Sequence, residues 1–330
     1  MHPQPLFEFS LFGKDLSVYP YGIMTAIGII SAIVVFYIYT KKKNMPTKVQ
    51  DFTFFVIIVA IATGFLFAKL YQAFYDFLDT GTWDFYGAGI TAMGGFLGGA
   101  AAFVAVYFVA GKFYFKGKYA GLHKREFEKI FCVAPLCIVI AHAFGRIGCL
   151  MAGCCHGELV SKTEWVIGTV PRYTYSSATH STSFSGYYVA TQLYEALFLF
   201  ALFAALSVLY FKKVKRLTMP VYLVAYGIWR IIIEVFRTDY RGAEVLGLYP
   251  SQWQSIVFII LGIAVLAFYI IKKIPLVCDD IADEPHIKES EPSGSSGSSG
   301  ADGADGGEHA SPTDGKTETP DGSDESDKAE

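Results

Sequence analysis

The sequence lacks the pattern expected of a secretory leader, of a disulfide framework and of a standard metal site. Its opening stretch, MHPQPLFEFSLFGKDL, lacks a basic segment running into an apolar run and a small-residue cleavage site, so no cleaved signal peptide is expected. The first apolar run would instead direct the chain to the membrane. Six cysteines stand at positions 132, 137, 149, 154, 155 and 278, and Cys132 and Cys137 lie in apolar sequence, which excludes a cysteine-stapled secreted domain. Cys149, Cys154, Cys155 and His156 offer soft ligands suited to zinc or an iron–sulfur centre, yet Cys-x4-Cys-Cys-His matches no standard motif. Packing of small cysteines in a helix, or a disulfide to a partner, are the other readings of that cluster. No metal and no cofactor are expected. An inverted duplication of broken helices, the mark of many transporters, is also missing.

Apolar runs are abundant instead. Hydrophobic residues make up 53% of the 330, and several runs reach the ~20 residues that a hydrocarbon core of about 30 Å requires. Seven are expected to span: about 21–40, 52–74, 90–110, 130–151, 188–211, 219–236 and 254–271. The third is rich in small residues (GGFLGGAAA), which let helix backbones approach closely in lipid.

The net charge of −3 conceals a strong asymmetry. Residues 276–330 carry 16 acidic and 3 basic side chains, and the rest of the chain carries 14 acidic and 24 basic. The basic excess sits in short loops between apolar runs, so it is no sign of nucleic-acid binding. Lys41, Lys42, Lys43 and Lys48 follow the first run. Lys112, Lys116, Lys118, Lys124, Arg125 and Lys129 follow the third, and Lys212, Lys213, Lys215 and Arg216 the fifth. By the positive-inside rule those loops are cytoplasmic, giving an outside N-terminus and an inside C-terminus.

The expected architecture is an all-α integral membrane protein of seven transmembrane helices. Residues 1–275 form the membrane domain, in which the polar, aromatic loop 156–187 makes a small extracytoplasmic head. Residues 276–330, rich in Gly, Ser, Asp and Glu, form a disordered acidic cytoplasmic tail.

Polar groups recur at helical spacing inside three of the runs. His142, Arg146, Cys149 and Gly153 share one face of the fourth, and Tyr226, Arg230, Glu234 and Arg237 one face of the sixth. Gln192, Tyr194 and Glu195 open the fifth. An arginine at the centre of a membrane helix costs about 2.5–3.5 kcal/mol on insertion scales and marks a functional site by default. Arg146 and Arg230 must therefore turn inward, paired with Glu195 and Glu234 or lining a watery cavity. Buried pairing alone stabilises poorly. A surplus of guanidinium near one leaflet suits the phosphate of an anionic lipid head group, gripped by two parallel hydrogen bonds.

These residues also lie in motifs that resemble those of bacterial prolipoprotein diacylglyceryl transferases. GRIGCLMAGCCHG (145–157) resembles that family's GRIGNFINGELWG, and TQLYEA (191–196) resembles SQLYEA. YGIWRIIIEVFR (226–237) is similar to YGxxRFxxEFxR, FCVAPL to DFVAPL, MGGFLGG to HGGLIGG, and SQWQS to GQxLS. His2-Pro3 and YGIM (21–24) resemble its opening HP and WYGL, and AKLY around Lys69 resembles GGRLGY. The resemblance runs from about residue 2 to 271.

It implies a multi-pass enzyme of the bacterial cytoplasmic membrane. Such enzymes transfer the diacylglyceryl group of phosphatidylglycerol to the lipobox cysteine thiol of an exported prolipoprotein, releasing glycerol phosphate. Partners would be phosphatidylglycerol, exported prolipoproteins and membrane lipids, with no nucleic acid. By the same resemblance Arg146 and Arg230 would bind and neutralise the departing phosphate. Tyr21 and Tyr226 would position the lipid or assist proton movement, and Glu234 would orient Arg230. Gln192, Tyr194, Glu195 and Gly157 would complete the lipid and phosphate site. The chain departs from the pattern at Met93, where the family has histidine, and at Cys149, Cys154 and Phe131, where it has asparagine, glutamate and aspartate. Glu158 or His142 would then have to stand in on the proton side. The alternative is a diverged relative that binds an anionic phospholipid but uses another acceptor, or a non-enzymatic lipid-binding or transport protein.

Overall fold

A computed structural model describes residues 2–11, 14–87, 89–160, 168–176, 179–238 and 247–276. Among them are seven helices long and apolar enough to cross a membrane. They are α1 (Pro20–Lys42), α2 (Thr47–Thr80), α3 (Ala92–Tyr114), α4 (Leu122–Ala152), α5 (Thr191–Phe211), α6 (Thr218–Val235) and α7 (Pro250–Ile271). Their outward faces carry large apolar side chains such as Ile30, Val109, Ile260 and Ile271, as a lipid-facing surface requires. The protein is a multi-pass membrane protein.

Local chemistry sets the helix ends. Pro20 opens α1, where a missing N–H costs nothing, and Lys41 and Lys42 close it against the negative end of the dipole. Gly81, in the left-handed region at φ 71°, terminates α2. That helix has 34 residues, about 51 Å at 1.5 Å per residue, and so extends well beyond a ~30 Å hydrocarbon core. The expected run near 52–74 is only its apolar middle. The fifth run was expected from 188, but Tyr188 and Val189 belong to a strand, and α5 begins at Thr191.

Small residues stand where the helices cross. A Cβ on Gly28 would lie 2.8 Å from Ala141 O, and one on Gly148 3.1 Å from Tyr21 Cδ2. Positions thus rise along α1 as their partners fall along α4, and the two helices are antiparallel. Gly94, Gly95, Gly98 and Gly99 of α3 likewise meet Tyr71, Ala68, Phe67, Gly64 and Ala60 of α2. This is the packing expected of the GGFLGG stretch, where shape rather than water expulsion drives association. Gly227 of α6 and Gly262 of α7 mark a third crossing. The core between helices is filled by Phe36, Val49, Val56, Tyr107, Leu136, Leu199, Leu206 and Tyr210.

Strands appear at one end of the bundle. An antiparallel hairpin of β1 (Phe7–Leu11) and β2 (Lys14–Val18) precedes α1. Between α4 and α5, β3 (Leu159–Val160), β4 (Thr169–Ser176) and β5 (Ser181–Val189) form an antiparallel sheet in the order β3-β5-β4. The loop 156–187 is therefore a folded head, as expected, though its β content was not foreseen. A cleft of about 450 Å³ lies between hairpin and head, lined by Glu8, Phe9, Ser10, Ser17, Tyr19, Tyr175 and His180. The acidic tail beyond Leu276, with Cys278, lies outside the described residues.

Candidate active site

The polar residues of α4, α5 and α6 meet at the head end of the bundle. Glu195, in the first turns of α5, is 1% exposed and ties the three helices together. Its Oε2 lies 3.0 Å from Arg146 Nε on α4. Its Oε1 accepts the Tyr226 hydroxyl of α6 at 3.3 Å and lies 3.8 Å from His142 Nε2. Burying such a carboxylate costs several kcal/mol unless partners replace its water, and both oxygens have partners. The charges of Arg146, His142, Arg230 and Arg237 all bear on it.

One turn beyond Tyr226, Arg230 Nη2 pairs with Glu234 Oε2 at 3.1 Å, an i,i+4 bridge along α6. Arg230 Nη1 is buried and makes no hydrogen bond among the described residues. Among the described residues, three guanidinium groups (146, 230 and 237) and two carboxylates (195 and 234) gather here, in a low-dielectric setting. Arg237 was expected on the same helical face as Arg230. It instead follows the end of α6 at Val235 and pairs its backbone with Gly157.

His142 Nε2 accepts the Arg146 Nε–H at 3.2 Å, and its ring meets that of Tyr226 edge-on at 5.2 Å. Its lone pair is thus committed to the arginine. Glu158 is exposed on the rim, and its carbonyl accepts Val189 N–H at 3.0 Å. Phe131 packs in an aromatic cluster with Phe127 near the other end of α4. The side chain of Met93 lies outside the described set.

Gly157 is a knot rather than an open donor. Its N–H goes to Val189 O at 2.9 Å, and its carbonyl accepts the Thr238 hydroxyl at 3.1 Å. A Cβ there would sit 2.6 Å from Phe236 O, so only glycine fits. Gln192 donates to Cys154 O, and the neighbouring Thr191 donates to Cys155 O at 2.6 Å. Both therefore fasten the loop after α4 to the start of α5. Tyr194 faces Gly168 at the base of β4. Tyr21, half exposed at the start of α1, packs its ring over Gly148.

The cysteines form a separate group beside the arginines. α4 stops at Gly153, whose left-handed backbone (φ 76°) turns the chain back, and Cys155 also has positive φ at 58°. As a result the Sγ atoms of Cys149, Cys154 and Cys155 all lie within 4.8 Å of one another. The Cys155 thiol is held below its ordinary range by hydrogen bonds from Cys149 and Cys154, with Arg237 and Arg146 acting the same way against burial. For Cys154 the bond from Cys149 lowers the pKa, but donation to Cys155, burial and the Cys155 charge push it up to about 11. His156 is held apart, its ring 4.3 Å from that of Tyr188.

Sequence reasoning missed two fasteners of this loop, Thr191 and Arg172. Arg172 on β4 donates to Gly153 O at 3.0 Å and lies over the Tyr188 ring, joining the head to the end of α4. Thr191 lay within the TQLYEA motif and could have been singled out. Arg172 had no local signal.

Seven apolar spans enclosing arginines paired with buried glutamates define a multi-pass membrane protein with a charged interior site. The chain belongs to the prolipoprotein diacylglyceryl transferase family, which it matches over residues 8–268. It is 33% identical over 263 residues to phosphatidylglycerol–prolipoprotein diacylglyceryl transferase of Clostridium tetani, covering 78% of this chain and 94% of that one. The enzyme of the same name from Dehalococcoides mccartyi strain 195 is 30% identical over 254 residues, covering 74% and 86%. Phosphatidylglycerol–prolipoprotein diacylglyceryl transferase 2 of Clostridium perfringens is 30% identical over 269 residues, covering 77% and 91%.

Proposed function

We propose that Arg146 and Arg230 form the anion-binding pair of a transferase that moves the diacylglyceryl group of phosphatidylglycerol to the lipobox thiol of an exported prolipoprotein. The activity is that of the family. The observation that supports this assignment of residues is the Glu195 hub, which holds Arg146 at 3.0 Å and Tyr226 at 3.3 Å and fixes α4 against α6.

In the reaction the thiolate attacks the glyceryl carbon, a C–S bond forms, and the C–O bond breaks with its electron pair leaving on the phosphate. Negative charge grows on the phosphate oxygens as the transition state is reached. Fixed donors aimed at that charge stabilise the transition state more than the ground state, and a single such donor contributes about 10²–10³-fold in kcat. Arg230 Nη1, buried and without a hydrogen bond among the described residues, is one such donor. Arg146 offers its terminal nitrogens while its Nε is held by Glu195 and His142. Glu234 positions Arg230, and Tyr226 positions Glu195. Tyr21, packed on Gly148 at the mouth of the site, orients the lipid. Gln192, Thr191 and Gly157 act through the loop they fasten.

Loop charge supports a head and site on the outer leaflet side of the bacterial cytoplasmic membrane, where exported acceptors emerge. The full chain in phosphatidylglycerol nanodiscs, given a lipobox peptide, tests the reading. A thioether-linked diacylglyceryl peptide with release of glycerol phosphate is expected. Lipid binding to Arg146 and Arg230 with no such product would replace the reading with that of a lipid-binding relative.

A further inference from the structure

We infer that Cys149, Cys154 and Cys155 form a three-thiolate site for a thiophilic divalent ion, best matched by Zn2+, with a fourth position open to the acceptor thiol. The inference deepens the transferase reading and rests on it only for the identity of that fourth ligand.

Three observations carry it. The three Sγ atoms lie within 4.8 Å of one another. A tetrahedral zinc with ~2.3 Å sulfur bonds has sulfur–sulfur edges of ~3.8 Å, so small rotamer shifts complete the site. Second, the backbone is shaped for the cluster. Gly153 and Cys155 both take positive φ, and the carbonyls of Cys154 and Cys155 are tied down by Gln192 and Thr191. Positive φ at a non-glycine residue is costly and persists where surrounding structure holds it. Third, the His156 ring lies against Tyr188, and among the described residues the cluster supplies three ligands. Three protein ligands with an open position are the pattern of catalytic rather than structural zinc, and thiolates select soft ions of this kind.

The position of the cluster gives it a use. By the motif resemblance, two of the three thiols, Cys149 and Cys154, replace an asparagine and a glutamate, and Met93 replaces a histidine. Methionine takes no proton, and His142 Nε2 already accepts the Arg146 Nε–H. An acceptor thiol bound to the ion needs no such base. Its proton passes to water as the metal–sulfur bond forms, because a coordinating thiol is deprotonated outright. The bound thiolate then attacks the glyceryl carbon, and the phosphate leaves with the electron pair into the arginine site.

The test uses the full chain, reduced, in nanodiscs without phosphatidylglycerol, with Co2+ as a spectroscopic probe. One Co2+ per chain with an intense thiolate-to-metal band is expected. Affinity should fall at least ten-fold in Cys149→Ser, Cys154→Ser or Cys155→Ser and stay unchanged in Cys137→Ser. A lipobox peptide should shift the cobalt bands, and its serine counterpart should not. If a variant fails to fold, protection of the wild-type thiols from alkylation by Zn2+ decides: protection of all three supports the site, and none overturns it. A cobalt band that persists without the three thiols, or a disulfide between two of them under reducing, metal-supplied conditions, also overturns it. Undiminished transfer after metal stripping would remove this inference and leave the transferase assignment standing. Cobalt binding with no transfer would keep the site and remove the assignment.

Discussion

Arg146 Nε and Glu195 Oε2 lie 3.0 Å apart, and this contact joins the end of α4 to the start of α5 beneath the head. Neither side chain could be buried in the membrane alone. Together, with Tyr226 on the second carboxylate oxygen, they form one buried cluster that joins α4, α5 and α6.

Arg230→Lys should lower kcat/KM for diacylglyceryl transfer by about 10²-fold while the protein stays folded. A lysine keeps the charge but not the planar fork that reaches Glu234 and a phosphate oxygen together. Steady-state transfer to a lipobox peptide measures it; a loss under three-fold would remove Arg230 from the phosphate site.

Glu195→Gln should destabilise the protein by about 3–5 kcal/mol, because a buried guanidinium loses its counter-charge. The double variant Glu195→Gln with Arg146→Gln should recover much of that loss while remaining inactive. Unfolding in detergent and transfer assays together separate the two effects. Equal destabilisation in single and double variants would mean that the pair is not the source.

Gly157→Ala should cost about 1–3 kcal/mol, since the new methyl meets Phe236 O at 2.6 Å and Val189 Cβ at 3.0 Å. The loop after α4 should loosen with it. Faster amide exchange near Val189 and a lower thermal midpoint are the expected signs; a wild-type midpoint would contradict the close approach.

Ser183→Cys on the exposed face of the head should react with a membrane-impermeant thiol reagent in intact cells, in a background with Cys154→Ser. Lys118→Cys, in the basic loop after α3, should react only after permeabilisation. The opposite pattern would invert the orientation drawn from loop charge.

The sequence by itself determined the membrane class, the seven spans and the pairing of Arg230 with Glu234, because each is local. An apolar run of about twenty residues has few options in lipid, and an i,i+4 pair is fixed by helix pitch. It also left Glu195 to hold one of the arginines, and the structure made that arginine Arg146. The resemblance carried the family and its activity. Only the tertiary structure decided what those residues touch. It set Gly157 as a knot with Val189 and Thr238, committed His142 to Arg146, and placed Arg237 past the end of its helix. It also gathered three thiols whose spacing matched no motif. The reason is a pair of left-handed residues, Gly153 and Cys155, that fold the chain back on the end of α4. Spacing along a helix does not describe a chain that has turned around.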